Sequence, residues 1–349
     1  MRISNKVKGA ALFLALFLAG NAALSFALRP YSGSGAEMWR GFNKKSDVDM
    51  VFVGSSQCVC DINPAVVDEV TGLSSYNMGT NMQSIQSSFI AIKEAVNRKN
   101  VKSVVLLIDP QTLEMERGSN FRAEQCFVRN LSDTLPVYDR FRTMSIVFDS
   151  DFFTKPYSIS YFFPWTYDRS SSIGLNIKEK IEGRVLNPDE HRDENGYSPS
   201  DVVYSTDFVQ SGIEKAKEWS LEHTDLHVLK TIPENLETLK DIASFCNNQG
   251  VKLYVVSPPA LNNFTYYDYF GYVEFTETVR DTLSEYGLQY YDLALLKDEY
   301  FETLSLGNYR DIGHMNNTGS TTFSKIIGNF ILDSDKDKDI SYMFKELYY

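Results

Sequence analysis

Cysteine and histidine are scarce, with four of each among 349 residues. Four cysteines in a chain this long do not make a disulfide scaffold. Cys58 and Cys60 lie two apart and would share one face if their segment were extended. No Cys-x-x-Cys pair and no His/Cys ligand spacing is present, which argues against a structural zinc site. No metal or organic cofactor is implied. A basic surplus is lacking too: 34 Lys and Arg face 46 Asp and Glu, for a formal charge of −12. That excludes nucleic acid as the expected partner. Internal repeats and low-complexity tracts are absent. Hydrophobic residues make up 43%, so global disorder is excluded and a substantial core is possible.

Long uncharged runs are few, and one stands apart. Arg2, Lys6 and Lys8 precede Gly9 to Leu28, 20 residues without a charge. About 20 apolar residues cross a bilayer as a helix. Basic residues ahead of the span stay in the cytoplasm, which places the rest outside. The expectation is a single-pass anchor with an extracytoplasmic C-terminal domain. The alternative is a secreted chain, cleaved near the small-residue stretch Ser25-Phe26-Ala27. Arg2, Lys6, Lys8 and Arg29 are the only charges in the first 29 positions. The remainder therefore carries 30 basic against 46 acidic residues, a net −16.

Residues 1–29 thus read as a cytoplasmic tip and anchor, 30–46 as a linker or short lead-in helix, and 47–349 as one domain. The pattern there alternates strand and helix. Val48–Val53 is a first strand. Asn63-Pro64 opens a helix, with Pro at its first position, and Gly72 closes it. Ser75–Met78 is a second strand. Ser84–Asn97 is a helix, with Ile85, Phe89, Ile92 and Val96 at helical spacing. Val101–Ile108 is a nearly continuous apolar strand, as in a parallel sheet covered on both faces. Residues 113–225 are irregular, rich in aromatics such as Phe152, Phe153, Phe163 and Trp165, and read as an insertion or cap at the sheet's edge. Pro233–Asn248, Val251–Ser257, Phe275–Tyr286, Gln289–Asp292 and Thr318–Asp333 then continue as helix, strand, helix, strand and helix. The class is α/β, a three-layer parallel sheet of the flavodoxin-like kind.

In such folds ligands sit beyond the carboxyl ends of the strands. Ser56, Gly79, Asp109 and Gln111 all follow strand ends. Gly54 allows a sharp turn after the first strand, and Ser56 then faces the crevice. The plain alternative is that Ser55 and Ser56 form a turn or cap a helix. The strained Gly-x-Ser-x-Gly elbow is not satisfied, because position 58 is Cys. Near the C-terminus, Asp311 and His314 lie three residues apart on one turn. An Asp there can fix the imidazole's tautomer and leave its other nitrogen to take a proton from a serine. The plain alternative is an ordinary loop histidine before a helix capped by Asn317 or Thr318. His191, His223 and His227 lie in polar stretches and read as solvated.

Together, Gly54-x-Ser56 after the first strand, Gly79 after the second and Asp311-x-x-His314 before the last helix resemble the SGNH (GDSL-like) hydrolase family. The resemblance covers roughly residues 47–110 and 250–332. It implies Ser56 as nucleophile, Gly79 as an oxyanion donor, and Asp311 with His314 as the acid–base pair. Two positions depart from the family pattern. Its Asp before the nucleophile is Ser55 here. Its Gly-x-Asn-Asp block after the third strand is replaced by Asp109-Pro110-Gln111. Gln111 or Asn81 is then the candidate for a second, side-chain oxyanion donor.

Gly54-Ser55-Ser56, Pro110-Gln111 and Asp311-x-x-His314 on an anchored chain are similar to the D-alanine transfer proteins of teichoic acid modification. They are also similar to the SGNH-like polysaccharide O-acetylation proteins. These similarities imply a serine esterase or acyltransferase acting on a cell-envelope polymer or glycan, with a membrane-bound O-acyltransferase as partner. Two other readings remain open: an esterase without such a partner, and a non-catalytic binding or assembly protein that keeps the fold.

Overall fold

In a computed structural model of the chain, the described residues are 4–117, 119, 121–132, 163–166, 172–186, 191–204, 218, 231–261, 272–303, 305–336 and 338–345. Five strands form one all-parallel sheet: β1 (Met50–Val53), β2 (Ser75–Asn77), β3 (Ser103–Leu107), β4 (Lys252–Ser257) and β5 (Tyr290–Asp292). Their order is β2-β1-β3-β4-β5. The chain moves outward from β1 in both directions, so a crevice opens between the ends of β1 and β3, where doubly wound sheets place ligands.

Both faces of the sheet are covered, which explains the continuous apolar runs. Val51, Val53, Val104 and Leu106 point into one core; Met50, Phe52, Val105 and Leu107 point into the other. This is the period-two alternation of a strand. The first core is closed by α2 (Ser34–Lys44), α5 (Ile85–Lys99), α7 (Phe121–Ser132), α9 (Pro233–Gln249) and α10 (Tyr272–Ser284). The second is closed by α3 (Ser56–Asp61), α4 (Pro64–Thr71) and α11 (Asn317–Ser334). The short α6 (Pro110–Glu114) follows β3, and α8 (Ile173–Glu182) lies in the middle segment.

The local signals read from sequence recur in these elements. Pro64 opens α4 behind the Asn63 cap, and Gly72 ends it in the left-handed region with φ of 73°. Where expectation and structure differ, the contacts are long in sequence. Residues 30–46 are not a linker. They carry α2, whose Met38, Trp39 and Phe42 are fully buried. Burial of Met38 and Phe42 contributes ~1.5–3 kcal/mol each. Trp39 Nε1 donates to Phe127 O at 3.1 Å, which ties α2 to α7. The folded unit therefore begins before residue 47.

The middle segment is not all edge cap. Phe127, Val128 and Leu131 of α7 belong to the first core. At the β2 edge Asn77 N donates to Asn195 O at 2.9 Å, and the chain then runs past α3, where Ser198 N donates to Val59 O, to the start of α11, where Asn317 N donates to Ser200 O. The expected aromatic run at Phe152 and Phe153 falls outside the described residues, as do His223 and His227.

Helix α1 (Asn5–Leu28) is long and apolar enough to cross a membrane, and most of it is exposed. Its C-terminal half touches residues 163–166 and α8, and Asn21 within the apolar run is bonded to Trp165 Nε1 at 2.9 Å.

Candidate active site

The turn after β1 needs glycine. A Cβ on Gly54 would lie 2.7 Å from Leu107 O of β3, closer than such atoms pack. The chain then enters α3, and Ser56 is its first residue rather than a loop residue ahead of α4. The segment is helical, so Cys58 and Cys60 do not share an extended face. Ser55 takes the N-cap position and gives no side-chain cap. The Ser56 and Gln57 backbone N–H groups, orphan donors of a first helical turn, make no hydrogen bond among the described residues. Ser56 and Gln57 are both half-buried.

The histidine comes from a short hairpin. Tyr309 and Met315 pair across it, and Arg310 N donates to His314 O at 3.0 Å. Asn316 locks its base: the side chain caps α11 through Thr318 N and Gly319 N, and Nδ2 donates to Gly307 O at 2.8 Å. The cap is thus Asn316 rather than Asn317 or Thr318. This places Asp311 and His314 on one turn facing α3. Ser56 Oγ lies 2.7 Å from His314 Nε2. His314 Nδ1 lies 2.8 and 3.0 Å from the two Asp311 carboxylate oxygens. With Asp311 ionised, Nδ1–H donates to the carboxylate and Nε2 accepts from the serine hydroxyl.

Electrostatics support that proton arrangement. Burial pushes Asp311 up, but the hydrogen bond and charge of His314, the Gly313 N–H and Arg310 outweigh it and hold the carboxyl below its ordinary value. Burial pushes His314 down, but the bond to Asp311 and the charges of Asp61 and Asp311 raise it above 6.5. Arg310 Nε sits 3.6 Å from Asp311 Oδ2, and its Nη2 donates to Cys60 Sγ at 2.9 Å. Burial pushes the Cys60 thiol up to about 12, with Arg310 opposing, and pushes Cys58 well above its ordinary value. Neither thiol supplies a thiolate at neutral pH. All four cysteines are free.

One of the oxyanion candidates is engaged elsewhere. Gly79 N–H does not face the crevice: it donates to Asn77 Oδ1 at 2.9 Å. Asn77 Nδ2 in turn bonds Cys58 O and Ile62 O of the α3 segment. Gly79 is needed for close approach, since a Cβ there would meet Cys58 Cβ at 2.7 Å. Arg192 Nη2 holds its carbonyl at 2.8 Å. Gly79 therefore packs the β2 loop onto the helix carrying the serine. Gln111, in the first turn of α6, and Asn81, beyond β2, are both exposed and take no part in the triad's hydrogen bonds. Asp109 caps α6 through Thr112 N at 2.8 Å.

Asp61 was not foreseen. It is 0% exposed at the far end of α3, and its Oδ1 accepts from Met315 N, next to His314, at 2.8 Å. One six-residue helix thus presents the serine at one end and tethers the histidine hairpin at the other. Burial pushes Asp61 up to about 7, against the opposing pull of His314, the Met315 N–H and Arg310. Gln57 adds a second tether, donating to Gly313 O at 3.3 Å. The one sequence signal for Asp61 was an acid enclosed by Cys58, Val59, Cys60 and Ile62. Among the described residues, no group of three His, Cys, Asp or Glu could hold a metal ion.

No protein-family model and no curated protein matches the chain.

Proposed function

We propose that the chain is a membrane-anchored, SGNH-like serine esterase or O-acyltransferase. Its substrates are acyl groups of a cell-envelope polymer or glycan, and its partner is a membrane-bound O-acyltransferase. The observation that carries the reading is the relay from Ser56 Oγ to His314 Nε2 to Asp311, at 2.7 and 2.8 Å. A hydroxyl, a base and an orienting acid in this order are the parts of acyl transfer.

Ser56 Oγ attacks the acyl carbon while His314 Nε2 takes its proton. Asp311 stabilises the imidazolium. The oxyanion develops beside the open Ser56 and Gln57 N–H groups, with the side chain of Gln111 or Asn81 as a further donor. Collapse expels the alcohol, which takes the proton back from His314. Water or an acceptor hydroxyl then attacks the Ser56 ester, with His314 again accepting and returning the proton. Helix α1 holds the domain on the outer side of the membrane, as Arg2, Lys6 and Lys8 before it favour.

The engagement of Gly79 N–H by Asn77 favours a second reading, a non-catalytic assembly protein that keeps the fold. Hydrolysis of p-nitrophenyl acetate by the full-length chain separates the two. Turnover that Ser56→Ala abolishes supports the enzyme. Turnover equal in native and Ser56→Ala chains supports the assembly protein.

A further inference from the structure

Among the described residues, nine large exposed apolar side chains lie on α1 and eight beyond it. Four of them, Trp165, Ile173, Leu175 and Ile181, sit on the two elements that touch α1. The contacts are specific. Phe163 packs on Phe17 with ring centroids 5.7 Å apart, and Trp165 Nε1 donates to Asn21 Oδ1. Asn176 Nδ2 of α8 donates to Ala27 O and Leu28 O at 3.3 and 3.2 Å. Lys180 Nζ donates to Phe26 O and Arg29 O. These are final-turn carbonyls of α1, which lack partners inside their own helix and favour a cation.

The row Asn176–Lys180 thus binds α8 to the end of α1. The neighbouring row Ile173, Ile177 and Ile181, spaced i, i+4 and i+8, lies on an adjacent face. Ile173 is 40% and Ile181 77% exposed. This row continues the apolar surface of α1 sideways. The depth of Trp165 agrees with an interfacial position, while Phe163 reaches deeper, to Phe17 eleven residues (~16 Å) before Leu28. Asn21 lies seven residues before Leu28, ~10 Å along the helix. An element lying in the bilayer interface sinks its apolar face about 5–10 Å into the headgroup and acyl boundary. Tryptophan is enriched at that level.

We propose that the turn Phe163–Trp165 and the isoleucine face of α8 lie in the outer-leaflet interface of the bilayer that α1 crosses. The partner of this surface is lipid. The inference rests on the reading of α1 as a membrane span. It makes α1 and the domain one unit seated on the membrane, rather than a domain on a free tether.

The test uses the full-length chain in phosphatidylcholine–phosphatidylglycerol vesicles, with bromine high on the phosphatidylcholine acyl chains. Flotation with the vesicles reports the span, and quenching of tryptophan emission reports lipid contact. The native chain should be quenched more than Trp165→Phe, the difference being the emission of Trp165. In the Trp165→Phe background, Ile181→Trp should restore a quenched component. A chain that floats but shows equal quenching with and without Trp165, and none from Ile181→Trp, overturns the inference and leaves the span standing. That pattern with cross-linked dimers assigns the surface to a second copy of the chain. Failure to float overturns the span, and this inference with it.

Discussion

Asp61 is an acid held at a cost to the fold, and removing its charge measures that cost. Its carboxyl moves from an ordinary 3.8 to about 7 on burial. The difference of about three pH units corresponds to ~4 kcal/mol. The sign follows from proton linkage. Between 3.8 and about 7 the folded chain holds a proton that the unfolded chain has lost, so stability falls as pH rises through that window. Below 3.8 both states are protonated and the penalty vanishes; above about 7 it is complete. Asp61→Asn keeps an acceptor for Met315 N and removes the charge. Its amide N–H group replaces Oδ2, which has no partner among the described residues, at a cost of ~1–3 kcal/mol. The net expectation is a gain of ~1–3 kcal/mol at pH 8, the difference of those two figures, that turns into a loss of ~1–3 kcal/mol near pH 4, where only the amide's cost remains. Equilibrium denaturation of native and Asp61→Asn full-length chains in detergent micelles, at both pH values, reads it. A variant less stable than native at pH 8, or a difference unchanged between pH 4 and 8, refutes the reasoning. The charge has a use that offsets the penalty: it raises His314, so esterase activity of Asp61→Asn should have its acid limb at lower pH than native.

Other outcomes follow from the same geometry. Because His314 acts as a base only when neutral and its pKa is raised above 6.5, native kcat/KM should fall as pH drops, with the midpoint above 6.5. Gly79→Ala places a Cβ 2.7 Å from Cys58 Cβ and 2.9 Å from Val59 N, so α3 must shift; melting and turnover assays should show a loss of ~1–3 kcal/mol of stability and reduced turnover. For the side-chain oxyanion donor, Gln111→Ala should lower kcat by about 10²–10³ while Asn81→Ala leaves it unchanged. The reverse result moves the role to Asn81, and no effect from either leaves the Ser56 and Gln57 N–H groups as the oxyanion donors.

Much of the fold was legible because its signals are local. The apolar runs around Val51, Val105 and Val255, broken by Pro64, Gly72 and Pro233, carry the strand–helix alternation without reference to distant residues. Ser56 and the pair Asp311 and His314 were legible for a like reason: each sits at the end of an element, in a residue type suited to chemistry. What the sequence hid depends on partners far along the chain. Helix α3 is six residues long, too short to show a period, so its two ends could not be seen to serve one site. Asp61 meets a backbone N–H 254 residues away. The family resemblance implies Gly79 as a donor, but its N–H is claimed by Asn77 two residues earlier. Likewise, α2 reads as a lead-in until Trp39 meets Phe127.

The central claim is that Ser56 is a nucleophile activated by His314. A fluorophosphonate reacts covalently with such a serine and needs no knowledge of the natural acyl group. The full-length chain is treated with the probe at pH 8 and at pH 5, and the modified residue is mapped by mass spectrometry. The account predicts one adduct, on Ser56, that forms at pH 8, is suppressed at pH 5 and is absent from Ser56→Ala. No adduct on a folded native chain, or one on another residue that persists in Ser56→Ala, would contradict it.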